Sequence, residues 1–135
     1  MKSQIFKNKK KWVIGYIFSR KINNSYIPQK VQNLVIRDYC IRNNFNLILS
    51  ATEYRSKNSF LMLDSLCNKK KKYNAVVIYS ISMLIEMRKY WVLLERFLKK
   101  EINVYFALEE IVIRKKKDID DLKKIFFIKN LNNTK

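Results

Sequence analysis

The sequence predicts an α/β domain: a three-layer open sheet of four mainly parallel strands with a fifth strand at its edge, and helices on both faces. Three observations lead to this class. Four apolar runs of strand length recur, over residues 12–18, 47–51, 75–79 and 102–107, each bounded by polar residues. Segments with helical periodicity separate them. The 135 residues also hold one Gly and one Pro, too few for an all-β fold built on tight turns.

Each element has a local reason. The strand runs are rich in Val, Ile and Tyr and apolar at consecutive positions, which suits strands covered on both sides. Pro28 fits the first turn of a helix over 29–43, with Val31, Leu34, Val35 and the Asp38/Tyr39 pair on successive turns. A helix over 59–69 turns Leu61, Leu63, Leu66 and Cys67 inward. Another over 88–100 does the same with Trp91, Leu94, Phe97 and Leu98. Strict alternation of strand and helix implies parallel strands joined by right-handed crossovers. A short helix over 118–124 and an edge strand over 125–128 follow, and the polar residues from Asn130 are expected to fray. The organisation is then a basic extension (1–11), one α/β domain (12–129) and a polar tail (130–135).

Composition narrows the function classes. The formal net charge is +18, which suits a partner such as nucleic acid, anionic lipid or a phosphorylated substrate. Against this, Lys, Asn and Ile are abundant while Gly, Ala and Arg are scarce, as in AT-rich genomes. Much of the charge is Lys in runs at 9–11, 69–72 and 115–117, a pattern typical of solvated surface. Cys40 and Cys67 lie inside expected helices, with no CxxC pair and no His, so two buried thiols are expected and no zinc site, while a carboxylate-bound Mg²⁺ stays open. The basic start followed by apolar residues 12–18 is too short for a secretory signal, and no run reaches the length needed to span a bilayer. The expected location is cytoplasmic.

In open α/β sheets, ligands bind beyond the carboxyl ends of the strands, where strand order reverses. The residues after each apolar run are therefore candidates. They are Ser19 and Arg20, then Thr52, Glu53 and Tyr54, then Ser80 and Ser82, then Glu109 and Glu110. Gln29, Asn33 and Arg37 are spaced along one helix face, with Gln32 between them. Glu53, Ser19 and Glu109 are the catalytic candidates, the two carboxylates as an acid–base pair if the fold brings them together. Arg20, Gln29, Gln32, Asn33, Arg37, Tyr54 and Ser80 are the ligand-binding candidates. Arg20 and the start of the first helix suit an anion. No glycine-rich nucleotide fingerprint or Walker loop is present, and the residues identify no cofactor.

Several strings in combination resemble a known family. Gly15-Tyr16-Ile17-Phe18-Ser19-Arg20, Pro28-Gln29-Lys30-Val31-Gln32-Asn33, Val35-Ile36-Arg37-Asp38-Tyr39-Cys40, Ser50-Ala51-Thr52-Glu53-Tyr54 and Tyr79-Ser80 resemble the sporadic carbohydrate cluster protein family. Its members are small bacterial proteins encoded among surface-polysaccharide genes, and the resemblance spans residues 12–128. A weaker resemblance is to the catalytic domain of resolvase-type serine recombinases, which implies a resolvase- or flavodoxin-like fold. Tyr16 and Gln32 fall where that pattern has Tyr and Gln, and Glu53 falls near an acidic position. The pattern's first-strand Arg and nucleophilic Ser fall at Phe18 and Arg20, unless Ser19 shifts by one residue. Its two later arginines are replaced in the Met83 region.

The first resemblance implies an accessory protein or enzyme of bacterial surface-polysaccharide biosynthesis that binds a sugar or sugar phosphate at the carboxyl edge of the sheet. Its partners would be glycan-biosynthesis enzymes, and nucleic acid is not expected. The alternatives are a non-catalytic regulator or scaffold of the same pathway, or a resolvase-like nucleic-acid-binding module without recombinase activity. A homodimer is compatible with a domain of this size.

Overall fold

The computed structural model describes residues 10–56, 59–68, 72–84 and 90–133. Outside them lie most of the basic extension, Lys69 to Lys71 of the second lysine run, and the last two residues. Among the described residues, five strands form one sheet: β1 (Lys11–Ile17), β2 (Phe45–Thr52), β3 (Ala75–Ile78), β4 (Asn103–Phe106) and β5 (Ile111–Ile113). The helices are α1 (Gln29–Arg42), α2 (Leu61–Asn68), α3 (Tyr90–Lys99) and α4 (Lys116–Asn133), with a 3₁₀ turn at Ile81–Leu84.

Spatial order in the sheet is β2-β1-β3-β4-β5, with the first four parallel and β5 antiparallel to β4. The chain steps one way from β1 to β2 and the other way through β3 and β4. Right-handed crossovers therefore put α1 on one face and α2 and α3 on the other. The order reverses between β1 and β3, which is the switch point where the carboxyl-edge rule directs attention. Ile36, Leu63, Leu66, Phe97, Ile78 and Phe106 are wholly buried between these layers. Each such side chain contributes roughly 1.5–3 kcal/mol of transfer free energy.

Gly15, the chain's one glycine, sits where α1 crosses β1 beside β2. A Cβ there would lie 2.5 Å from Ser50 Oγ, 3.3 Å from Ser50 Cβ and 3.4 Å from Ile36 Cγ2. A methyl group there would require the Ser50 hydroxyl to rotate away and its neighbours to give slightly. The register also slips here, from Val13↔Leu47 to Gly15↔Ser50. The extra residue lies at Ile48 and Leu49, both exposed on the sheet's open edge. With glycine so scarce, left-handed backbone falls to Asn23, Asn24 and Asn44, whose short polar side chains tolerate it. Glu101 and Glu110 adopt it too, at a cost of about 1 kcal/mol each.

Four expectations about elements are corrected. Leu61, expected to turn inward, is 68% exposed at the start of α2. The fifth strand is Ile111–Ile113, not 125–128, and Ile125 and Phe126 lie within α4. Ile119 and Leu122 are buried one turn apart and Phe126 packs one turn further on, a helical period that outweighs the local apolar run. The same helix continues to Asn133, through residues expected to fray. In α1 the inward residues are Gln32, Ile36, Tyr39 and Cys40, while Val31 and Leu34 are exposed. The helix is rotated so that a polar amide, Gln32, faces the sheet.

Candidate functional site

The carboxyl edge is built around the end of β1. Gln32 has no exposed surface. Its Oε1 accepts from Phe18 N at 2.9 Å, and its Nε2 donates to Phe18 O and Ile27 O, each at 2.9 Å. One side-chain amide thus satisfies both main-chain groups of Phe18, as a neighbouring strand would.

Glu53 follows β2, and its main-chain N donates to Ile17 O at 3.0 Å. Glu53 as a whole is 2% exposed. Oε1 accepts from Tyr16 Oη at 2.7 Å and Leu63 N at 3.2 Å. Oε2 accepts from Tyr54 N at 2.9 Å and Met62 N at 3.0 Å. Met62 and Leu63 belong to the first turn of α2, whose N–H groups have no partner inside the helix. The helix dipole also favours a negative charge there. Glu53 is therefore a buried helix cap with four donors arranged around it, rather than a base open to substrate.

Arg20 is half-exposed beside these groups. Its Nη1 donates to Tyr54 O at 2.9 Å and Ser56 O at 3.2 Å. The guanidinium carbon lies 4.0 Å from the Phe18 ring centre and 4.9 Å from that of Phe60. Cation–π contact and two carbonyls fix its position. Ser19 Oγ donates to Glu53 O at 3.3 Å, a long bond on a half-exposed side chain.

Ser80 and Glu109 form a second, separate group. Ser80 Oγ donates to Glu109 Oε2 at 2.6 Å, and Ile81 N donates to Glu109 Oε1 at 2.9 Å. Ser82 N donates to Ser80 Oγ at 3.1 Å, so the pair fastens the 3₁₀ turn after β3. Burial, and behind it the Glu109 carboxylate, pushes the Tyr79 phenol above its ordinary range. The carboxylates expected as an acid–base pair each serve a different turn.

The remaining candidates lie apart. Gln29 is exposed, and Tyr54 is 55% exposed. Asn33 and Arg37 line a recess of about 490 Å³ between α1 and β2, with Ile41 and Ile48. Cys40 and Cys67 are free and buried, and burial pushes the Cys40 thiol up to about 11. Among the described residues, no three His, Cys, Asp or Glu side chains come together as a metal site would need. Among the same residues no helix is long and apolar enough to cross a membrane.

A different region went unnoticed in the sequence. At the amino edge of the sheet, a groove of about 680 Å³ is lined by Lys10, Lys11, Trp12, Lys72, Asn74 and Asn103, among others. The signal available was Trp12, which follows three lysines near the start of a strand and is 51% exposed.

No protein-family model matches this chain, and no curated protein matches it in sequence. Solved structures do. One is the N-terminal catalytic domain of TP901-1 integrase, with a TM-score of 0.68 at 17% identity, covering 92% of this chain and 98% of that one. Another is a resolvase family site-specific recombinase from Streptococcus pneumoniae, with a TM-score of 0.61 at 14% identity, covering 90% and 91%. The chain therefore has the fold of resolvase-family serine recombinase catalytic domains. These neighbours overturn the expectation of a role in surface-polysaccharide biosynthesis, with its sugar ligand and glycan-enzyme partners, and they overturn the expectation against nucleic acid. The short strings behind that expectation fall largely on residues that close the carboxyl edge, such as Phe18, Arg20, Gln32 and Glu53. They mark how this edge is built and carry no ligand class with them.

Proposed function

We propose that this domain is a resolvase-like DNA-binding module that does not carry out strand transfer. The observation behind this reading is the residue at position 20. A shift of one residue would give the nucleophile's place to Ser19; aligned without a shift, the serine recombinase pattern puts at position 20 the hydroxyl that attacks the phosphodiester and holds the broken strand as an ester. Here it is Arg20, held by Phe18, Phe60, Tyr54 O and Ser56 O. A guanidinium is no nucleophile at neutral pH, since it stays protonated. Phe18 stands where the pattern has a cation, so the stabilisation of developing phosphoryl charge is reduced as well. What remains is a recombinase-like scaffold with a net charge of +18, suited to phosphate contact without chemistry.

The test has two parts. DNA should be retained at about 50 mM salt and released as salt rises, because phosphate contacts displace counterions. Incubation with supercoiled plasmid should leave it neither nicked nor relaxed, with no protein joined to DNA on denaturing gels. Failure to retain DNA at low salt removes the reading. A covalent adduct through Ser19 removes its non-catalytic half.

A further inference from the structure

At the carboxyl edge the side chains of Gln32, Glu53, Ser80 and Glu109 are engaged in internal hydrogen bonds. The opposite edge differs. Parallel strands begin there, and the antiparallel β5 ends there, so topology brings four separated basic stretches to one side. Lys10 and Lys11 open β1, and Lys72 precedes β3. Lys99 and Lys100 end α3 just ahead of β4. The β4–β5 register of Val104↔Ile113 puts Arg114 level with Asn103, and Lys115 to Lys117 follow. All of these side chains are exposed. Asp118, whose Oδ2 accepts from Arg114 N and Lys115 N, brings a single negative charge among these cations and is outnumbered by them.

Within this belt the 680 Å³ groove is framed by hydrogen bonds between strand starts. Asn74 N donates to Trp12 O at 2.8 Å, Asn74 Oδ1 accepts from Trp12 N at 3.3 Å, and Asn103 N donates to Asn74 O at 3.2 Å. Three strand starts are thereby tied together, with the half-exposed Trp12 indole among the lining lysines. Glu101, at the turn into β4, is the carboxylate among the described lining residues. An aromatic face set among cations is the combination that single strands use. Phosphates follow the positive charge, while an unpaired base stacks on the ring. A duplex keeps its bases stacked on each other and would meet only the lysines.

We infer that the amino-edge groove binds single-stranded DNA, with a base stacked on Trp12 and the flanking phosphates on Lys10, Lys11 and Lys72. The inference rests on the DNA-binding reading above, which also supplies the choice of DNA over RNA. It places the contact on the edge opposite to the one where a recombinase-like site would sit.

The experiment uses the full chain carrying Trp91→Phe, which leaves Trp12 as its one tryptophan. Titration with an oligothymidylate of about ten nucleotides, within the usual site size for such grooves, should quench Trp12 emission. A duplex of equal length should compete less well. Anisotropy with labelled oligomer should show Trp12→Ala weakening binding about tenfold or more, and Trp12→Phe much less. The triple change Lys10→Gln, Lys11→Gln, Lys72→Gln should make the slope of log affinity against log salt shallower by about 2. Binding without Trp12 quenching, unchanged affinity and slope in both sets of variants, or preference for duplex or for oligouridylate would each overturn the inference. In those cases the DNA-binding reading, or its nucleic-acid part, survives. If the parent protein retains no nucleic acid at all, both readings fall.

Discussion

The two edges of this sheet hold polar residues in different ways. At the carboxyl edge Gln32, Glu53, Ser80 and Glu109 turn inward, and their polar atoms meet main-chain donors and acceptors. At the amino edge Lys10, Lys11, Lys72 and Lys115 to Lys117 turn outward, with the Trp12 ring half-exposed among them. One edge is polar because the fold needs it to be, and the other because solvent or a partner meets it. The difference teaches that a concentration of capable residues at a strand end is not in itself a site. Buried polar groups require partners, and helix starts and broken strand ends supply many of them.

The largest expected effect tests the carboxyl edge as structure. Glu53→Gln puts an NH₂ group where two of four donors now find an oxygen, and removes a charge from the start of α2. Stability from urea denaturation should fall by about 3 kcal/mol, the scale for hydrogen bonds to a buried charge. A loss below about 1 kcal/mol would make this carboxylate dispensable to the fold and reopen it as a functional group.

Gln32→Ala comes next. It strands Phe18 N and Phe18 O, which the amide now satisfies, and should cost about 2 kcal/mol in the same measurement. Retention on DNA at about 50 mM salt should be unchanged while the protein stays folded. Loss of DNA binding in a folded Gln32→Ala protein would move the interface back to the carboxyl edge.

The smallest effect on stability is expected at the amino edge. Changing Lys115, Lys116 and Lys117 together to Gln removes exposed like charges. The unfolding free energy should shift by no more than about 0.5 kcal/mol, in the stabilising direction at low salt. DNA retention should weaken over the same substitution. A stability loss above about 1 kcal/mol would show that this edge is structural too, and the contrast would disappear.

Much of the fold was legible because its signals are local. Strand-length apolar runs, helical periodicity and Pro28 at a helix start each lie within a dozen residues, and four strands and three helices match them. The short β5 was missed since three residues carry little pattern, and its place was given to an apolar run that α4 absorbs. The candidate site was legible only as a list of residues. Ser19, Arg20, Gln32, Glu53 and Tyr54 do gather at the ends of β1 and β2, but Ser80 with Glu109, and Asn33 with Arg37, lie in other groups.

By itself the sequence determined the class of fold, the excess of positive charge and the absence of a glycine-rich nucleotide loop. These depend on composition and on neighbours in the chain. Only the tertiary structure decided which polar groups are used up and where the lysines assemble. Tyr16 meets Glu53 across 37 positions and Trp12 meets Asn74 across 62. Strand order, not proximity in sequence, brings the starts of β1, β3 and β4 and the end of β5 to one edge. Whether a side chain is a strut or a contact depends on the partners that such crossings supply.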